Sequence, residues 1–236
     1  MPTQVWVVDY NSLFHLGIKA ALSGYPQYQI SGLTSPNRIS KALQNSSGIV
    51  LIGMWSSPDN PYPSPADLFQ ILSEIQHLNH FRVILMGSAN GWFIHYLIRH
   101  YPCVQGYLHN ADDMCACLPL ALQTIEGNDA VADKNQQVFF HHVLSVPDLA
   151  RRLYLSPTAS TLALECYRRR EHLLELNADD IKVLREIAYG VDEAAIAVKL
   201  GVSRQRIYTI SRRLRRRFEA STNEDLMVRV MRAGVC

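Results

Sequence analysis

The densest group of chemically functional side chains in this sequence lies at residues 203–217, which read S-R-Q-R-I-Y-T-I-S-R-R-L-R-R-R. Seven of these fifteen residues are arginine and none is acidic. Ile207, Ile210 and Leu214 recur at helical spacing, so one side of a helix can pack on a core while guanidinium groups cover the rest. Arginines this close repel one another unless a polyanion is present, and duplex DNA is such a partner because it releases counterions when arginines meet its phosphates. A solvated basic helix face is the alternative interpretation.

The sequence before the arginines predicts another helix and a tight turn. A helix over residues 192–200 can begin at Asp192, whose side chain suits an N-cap. Gly201 can adopt the left-handed conformation that ends a helix, and Ser203 can cap the arginine-rich helix. This order, a helix followed by a short turn with glycine and a basic second helix, is typical of a helix-turn-helix. In that motif the second helix enters the major groove. Further helices are predicted at 178–189 and 223–232.

This all-α four-helix segment resembles the LuxR-type, NarL/FixJ-family DNA-binding domain of bacterial transcription regulators. The resemblance covers residues 176–236 without a gap. Its matching positions are Leu176, Val183, Leu184, Gly190, Ile196, Ala197, Leu200, Gly201, Val202, Ser203, Ile207, Thr209, Leu214 and Leu226. It implies that the helix beginning at Ser203 reads DNA and that the last helix forms a dimer contact. The family often has a basic residue where this chain has Tyr208, which leaves the base preference open.

We expect two kinds of DNA contact from this helix. By position in the resemblance, Tyr208, Thr209 and Arg212 face base edges, whereas the other arginines contact phosphates and position the helix. The residues predicted to bind DNA are Ser203, Arg204, Arg206, Tyr208, Thr209, Arg212, Arg213 and Arg216.

The charge distribution places nucleic acid at the carboxyl-terminal part of the chain. The 236 residues are 48% apolar and 19% charged, which is a globular composition. Residues 1–126 have a net charge of −2, residues 127–175 of 0 and residues 176–236 of +4. A basic segment that coincides with the arginine-rich helix favours DNA binding there and not in the amino-terminal part.

Strand and helix patterns alternate in the amino-terminal half. Strands are predicted at residues 4–8, 28–33, 49–52, 82–86 and 106–108, and helices at 13–22, 37–44, 65–78, 92–100 and 112–125. This alternation predicts an α/β fold with a doubly wound, five-stranded parallel sheet. It resembles the flavodoxin-like receiver domain of response regulators over residues 3–126. The residues that carry the resemblance are Val7, Val8, Asp9, Leu13, Phe14, Gly17, Gly106, Tyr107 and Leu108.

The receiver resemblance implies a phosphorylation site that this chain has largely lost. Such a site needs two acidic residues for a divalent cation, an acceptor Asp, a hydroxyl side chain and a Lys, because metal and Lys offset the phosphoryl charge. Asp9 retains the first acidic position. The other positions hold Tyr10, Gly53 (or Met54 in a shifted register), Gly87 and Asn110. Since Gly and Met offer no nucleophilic oxygen, we predict an atypical receiver without aspartyl phosphorylation.

Two uses of such a domain remain open. It can pair with a second copy or another protein; in related receivers the face formed by the fourth helix, fifth strand and fifth helix does so, here at about residues 92–125. A pocket bordered by Asp9, Tyr10, Gly53, Met54 and Trp55 can bind a small molecule. Alternatively, side chains such as Tyr10 and Met54 simply fill that space.

The sequence predicts three segments: the receiver-like domain at residues 1–126, a helical linker at 127–175, and the helix-turn-helix domain at 176–236. The linker is long and not rich in Gly or Ser. Helices are predicted within it at 148–155 and 158–176. Arg168, Arg169 and Arg170 are expected to be solvated, with contacts to phosphates or to a partner as alternatives.

Other sequence features exclude several classes of protein. The five cysteines are odd in number and irregular in spacing, which favours free thiols in a reducing compartment. The start lacks the features of a signal peptide and no run is long enough to span a membrane, so a cytoplasmic location is expected. Neither the pair Cys115 and Cys117 nor the pair His141 and His142 has the spacing of a metal site. No nucleophile–base set is present, so we expect neither enzymatic activity nor a cofactor.

The sequence therefore predicts a sequence-specific, DNA-binding transcription regulator that acts as a dimer on double-stranded DNA, independently of phosphorylation. The first alternative is an auxiliary regulator that acts through protein contacts, as a heterodimer with another regulator or by contacting polymerase. The second is a regulator controlled by a small ligand in the receiver-like domain.

Overall fold

The structure is a computed structural model that describes residues 2–9, 12–33, 39, 43, 46–54, 65–78, 80–127, 142, 152–168 and 176–232. It divides into two compact units, Met1–Arg168 and Arg169–Cys236. Of the helix predicted at residues 37–44, Ile39 and Leu43 are described, and both are helical and buried. The remainder of that helix, Tyr10 and Trp55, and most of the linker predicted at 127–175 lie outside the described residues.

The first unit contains a parallel sheet with helices between its strands. The strands are β1 Thr3–Val8, β2 Tyr28–Leu33, β3 Gly48–Met54, β4 Phe81–Gly87, β5 Val104–His109 and β6 Tyr154–Leu155. Their order across the sheet is β2-β1-β3-β4-β5-β6. The helices are α1 Ser12–Ala21, α2 Pro65–Leu78, α3 Gly91–His100, α4 Met114–Glu126 and α5 Pro157–Arg168. The doubly wound α/β fold is therefore confirmed.

The central strands explain why this sheet forms. In β3, residues 49–52 read I-V-L-I and every one is at most 1% exposed. In β4, residues 83–86 read V-I-L-M and are fully buried. Continuous apolar runs of this kind occur in parallel strands that are covered by helices on both faces. In strands with one solvent-exposed face, apolar and polar residues alternate.

The sheet has a sixth strand, so the expectation of five strands was incomplete. The helix predicted at residues 148–155 is wrong at Tyr154 and Leu155, which instead pair in parallel with Gly106 and Tyr107 of β5. The N–H of Ser156 continues the pairing with a 3.0 Å hydrogen bond to the Tyr107 carbonyl oxygen. Without β6, this side of β5 would present unpaired backbone groups at the edge of the sheet.

Helix α5 follows β6 and packs against α3. The contact is close at Gly91, where an added Cβ would lie 2.0 Å from the Leu162 carbonyl oxygen. Residues 91–98 of α3 are all buried, because the sheet covers one side of this helix and neighbouring helices pack on its other sides. Residues 154–168, predicted as part of the linker, thus pack within the first unit and cover the α3 and β5 part of the face expected to pair two copies.

The second unit consists, in its described part, of the four predicted helices: α6 Ala178–Ala188, α7 Glu193–Leu200, α8 Arg204–Arg217 and α9 Asn223–Arg232. Each helix contributes apolar residues to one core, all at most 1% exposed: Ile181, Leu184, Ile196, Ile207, Leu214 and Leu226. None of the helices described in either unit is long and apolar enough to cross a membrane.

Candidate nucleic-acid interface

The turn between α7 and α8 is built by local backbone chemistry. Asp192 caps α7 by accepting hydrogen bonds from the N–H groups of Ala194 and Ala195, at 2.8 and 3.0 Å. These bonds, with a smaller contribution from nearby Arg204, lower the pKa of Asp192. Gly201 ends α7 in the left-handed region with φ of 64°, a conformation that favours glycine. The helix-turn-helix geometry expected from the sequence is therefore present.

The amino-terminal end of α8 is held by Ser203. Its hydroxyl oxygen accepts a 3.2 Å hydrogen bond from the Arg206 N–H. Ser203 was predicted to touch DNA and to cap this helix, and the structure shows the second role directly. The cap satisfies a backbone donor that the first turn of a helix otherwise leaves without a partner.

One side of α8 is buried and the other is exposed. Ile207, Ile210, Ser211 and Leu214 form the buried side. Since each residue advances about 100° around a helix axis, the opposite side is centred on Gln205, Thr209, Arg212 and Arg216, which are all exposed. Tyr208 is 45% exposed and lies to one side of this line.

We define the outward face of α8 as Gln205, Thr209, Arg212 and Arg216. Gln205 was not among the residues predicted to bind DNA, although its position four residues before Thr209 would have placed it there. The Thr209 hydroxyl donates a 2.9 Å hydrogen bond to the Gln205 carbonyl oxygen, so its oxygen still has acceptor capacity. A Gln side chain offers both a donor and an acceptor, the combination that pairs with the major-groove edge of adenine.

Two of the predicted DNA-contacting arginines bind acidic residues of α6. Arg213 forms an ion pair with Asp180, whose side chain is 2% exposed. The Nη2 atom of Arg206 lies 2.7 Å from Oδ2 of Asp179, and both of these side chains are about half exposed. The pair that includes the buried Asp180 carboxylate fixes α8 relative to α6, whereas the exposed pair contributes little to stability.

A third ion pair joins the first two helices of this unit. The Nζ atom of Lys199 in α7 lies 2.8 Å from Oε2 of Glu186 in α6, and the Glu186 side chain is 5% exposed. Helix α6 thus supplies the acidic partner in all three interhelical ion pairs described in this unit. Two of these pairs join α8 to α6, and none of the paired charges lies on the outward face of α8.

The remaining α8 arginines differ in their contacts. Arg215 is half-buried and donates a 3.1 Å hydrogen bond to the Asn223 side chain. Arg204, Arg212, Arg216 and Arg217 are exposed and form no ion pair within the described ranges. Exposed guanidinium groups on a rigid helix are available to a polyanion at no cost in broken contacts.

In the first unit, the described residues of the predicted phosphorylation site lie at the carboxyl ends of the strands. Asp9 follows β1 and is 8% exposed. Gly53 and Met54 end β3, and Met54 pairs with Gly87 at the end of β4. The carboxyl ends of parallel strands meet at such an edge, where ligands of open α/β sheets bind.

Crowding around Gly87 explains why this edge has no space for the missing hydroxyl group. An added Cβ there would lie 2.9 Å from the Met54 Cβ and 3.3 Å from the Tyr107 hydroxyl oxygen. Tyr107 is fully buried, its burial raises its pKa, and its oxygen accepts a 2.9 Å hydrogen bond from the Ala89 N–H. The side chains of Met54 and Tyr107 therefore occupy the space beside Gly87.

Asn110, at the predicted Lys position, is exposed. Its N–H donates a 2.9 Å hydrogen bond to the Gly87 carbonyl oxygen. Asn110 also lines a cavity of about 470 Å³ beside α1. No group of three or more His, Cys, Asp or Glu residues in the described part of the chain is arranged to hold a metal ion.

No protein-family model and no curated protein sequence matches this chain. Solved structures do match nearly all of it. The response regulator RcsB from Salmonella enterica serovar Typhimurium, bound to the promoter rprA with phosphomimetic BeF3−, is 16% identical with a TM-score of 0.63, covering 98% of this chain and 99% of RcsB. The same protein bound to promoter P1flhDC is 15% identical with a TM-score of 0.63, covering 98% of each chain.

A further RcsB structure, concerned with conformational dynamism for DNA interaction, is 14% identical with a TM-score of 0.62 and covers 99% of this chain and 98% of RcsB. At these identities the likeness concerns the fold. This chain has the fold of the NarL/FixJ-type response regulators, with a receiver-like α/β unit followed by a helix-turn-helix unit.

Proposed function

We propose that this protein is a sequence-specific, DNA-binding transcription regulator whose α8 helix enters the major groove. The observation that carries the proposal is the outward face of α8, a solvent-exposed line that combines hydrogen-bonding side chains with guanidinium groups. The ion pair between Asp180 of α6 and Arg213 of α8 fixes the orientation of this helix. The RcsB structures of the same fold include complexes with promoter DNA, which supports the same role here.

Two classes of contact follow from this geometry. Gln205, Thr209 and Arg212 are placed to read base edges, with Tyr208 beside them. Arg204 and Arg216, together with Arg206 once it exchanges Asp179 for a phosphate, contribute salt-dependent affinity that is independent of sequence. Arg213 acts as a positioning residue, because it binds a buried carboxylate in its own unit.

We also propose that the first unit works without accepting a phosphoryl group. Gly53 and Met54 provide no acceptor oxygen, and Met54 and Tyr107 crowd the position of the hydroxyl side chain at Gly87. Acetyl phosphate with Mg²⁺, followed by intact-mass measurement, tests this directly. We expect an unchanged mass, and the addition of one phosphoryl group would refute the proposal.

A gel shift with the purified full-length chain alone tests DNA binding. We expect a complex with genomic fragments that carry its target, and a large loss of affinity in the double variant Arg212→Ala/Arg216→Ala. Arg229→Ala is the matched control, since Arg229 is an exposed arginine on α9 that pairs with Asp225. If the chain alone forms no complex but does so with a second regulator, the heterodimer alternative replaces the proposal.

A further inference from the structure

Two neighbouring aspartates at the start of α6 pair with the arginine-rich helix α8 but differ in burial. The side chain of Asp180 is 2% exposed and pairs with Arg213. The side chain of Asp179 is 48% exposed, and its partner Arg206 is 58% exposed. A buried carboxylate that loses its cation stays without solvent, whereas an exposed carboxylate is hydrated again at little cost. Of these two pairs, the pair between Asp179 and Arg206 is therefore the one that opens readily.

Arg206 borders the outward face of α8. It lies about 100° from Gln205 around the helix axis, on the side that faces α6. Arg213, about two turns later, lies on the same side. A recognition helix in the major groove has its outward face against the bases and its two sides towards the phosphate backbones. Arg206 is therefore placed to meet a phosphate, and Asp179 binds the guanidinium group that would do so.

Asp179 is not part of the cap that starts its own helix. The capping box of α6 is formed by Asn177 and Asp180. Asp192 differs in this respect, because its carboxylate accepts hydrogen bonds from the N–H groups that start α7. The Asp179 carboxylate instead accepts a 2.7 Å hydrogen bond from the Arg206 guanidinium. An anionic oxygen at this distance imitates the oxygen of a DNA phosphate.

We propose that Asp179 is an internal counterion that competes with DNA phosphate for Arg206 and thereby lowers the sequence-independent affinity for DNA. This inference rests on the proposed function of α8. When DNA binds, Arg206 exchanges one anionic oxygen for another, and the released Asp179 attracts a cation from solution. That cation offsets the counterion that the phosphate releases, so Arg206 adds less affinity than an unpaired arginine does.

The competition affects every DNA sequence alike. Phosphate contacts carry no direct sequence information, so Asp179 should weaken binding to target and random DNA by the same factor. A genome offers a large excess of sites that are not targets. A lower affinity for those sites leaves more of the protein unbound.

Binding of the full-length chain to a duplex of random sequence, measured by fluorescence anisotropy over a range of salt concentrations, tests the proposal. We expect Asp179→Asn to bind at least about 3-fold more tightly at low salt. The slope of log affinity against log salt concentration should steepen by roughly 0.5–0.9, because one more arginine binds phosphate without a competing carboxylate. In an Arg206→Ala background, Asp179→Asn should have no effect. Circular dichroism should show unchanged folding, because the Asp179 side chain is half exposed.

Asp225→Asn is the matched control, because Asp225 carries the same charge and forms an exposed 2.8 Å ion pair with Arg229 in α9. It should change the affinity for random DNA by less than about 2-fold. The proposal would be overturned if Asp179→Asn gave no gain, a gain equal to that of Asp225→Asn, or a gain that persists without Arg206.

A gain confined to a site that the chain selects from a random library would overturn it too, since Arg206 would then read bases. A wild type that binds no DNA would refute the proposed function itself, so the two failures are distinguishable.

Discussion

Asp180 and Arg213 form an ion pair that joins the first helix of the second unit to its arginine-rich helix. Asp180 has a second role, since its other carboxylate oxygen accepts a 3.1 Å hydrogen bond from the Asn177 N–H. In return, the Asn177 side chain accepts a 2.8 Å hydrogen bond from the Asp180 N–H, which completes a capping box. One buried carboxylate therefore both starts α6 and orients α8.

Replacing Arg213 should destabilise the second unit, because Asp180 would remain buried without its cation. We expect Arg213→Ala to lower the free energy of unfolding by about 2 kcal/mol. Arg217→Ala is the control, since Arg217 is exposed and forms no ion pair within the described residues. It should change the free energy of unfolding by less than about 0.5 kcal/mol. Urea unfolding measures both, and equal small changes would show that the pair adds no net stability.

Acid should loosen residues 154–168 before the rest of the first unit. Burial acts to raise the pKa of Asp112, but hydrogen bonds from Ser156 and Thr158 outweigh it and lower the pKa below the ordinary value of 3.8. A carboxylate with a lowered pKa stabilises the fold above its unfolded pKa, and this contribution is lost as the pH falls through the folded pKa. The protection of α5 amides against hydrogen exchange, relative to their intrinsic rates at the same pH, should therefore fall below about pH 4.

The variant Asp112→Ala should accelerate the same exchange at neutral pH. Its neighbour Asp113 provides the control, because Asp113 caps α4 through the N–H groups of Cys115 and Ala116 and not α5. Asp113→Ala should raise exchange at the start of α4 and leave α5 protected. Similar exchange in α5 for both variants would contradict the role assigned to Asp112.

Restoring a hydroxyl side chain at Gly87 should harm the first unit. In Gly87→Ser the new Cβ would lie 2.9 Å from the Met54 Cβ and 3.1 Å from the Met54 carbonyl oxygen, so the backbone must shift. We expect a loss of about 1–3 kcal/mol in thermal or urea unfolding. Gly24→Ser is the control, because an added Cβ there meets nothing within 4 Å. A stable Gly87→Ser protein would mean that this edge retains space for the missing group.

A glycine at position 219 should stabilise the second unit. Glu219 has φ of 54°, and the Ala220 N–H donates a 2.8 Å hydrogen bond to the Arg215 carbonyl oxygen, as in a Schellman helix end. Side chains with a Cβ are strained in this left-handed region, so Glu219→Gly should raise the free energy of unfolding by about 1 kcal/mol. Glu219→Ala keeps the Cβ and should give no such gain, and a gain of the same size there would point to the removed charge instead.

The four helices of the second unit could be predicted because each carries its own local signals. Asp192, Gly201 and Ser203 start or end helices through contacts a few residues away, which a sequence displays directly. The same holds for the strongly apolar strands β3 and β4. Asn177 and Asp180, only three residues apart, also follow a local capping pattern.

Features that depend on distant neighbours could not be predicted. Strand β6 has two residues, too few for a periodic pattern, and it forms because the edge of β5 is open to it. The pairing of Arg213 with Asp180 depends on how two helices cross, so arginines of the same helix with different roles look alike in sequence. Gln205 lies on the outward face but carries no charge, so a prediction based on the density of arginines does not include it.

Binding of the full-length chain to the DNA that it selects from a random library tests the central claim most directly. We predict that the wild type prefers the selected site over random DNA by at least about 1,000-fold. Gln205→Ala/Thr209→Ala/Arg212→Ala should lose most of that preference and keep much of its binding to random DNA. Enrichment of no sequence, or a triple variant that retains the full preference, would contradict the claim that the outward face of α8 reads DNA.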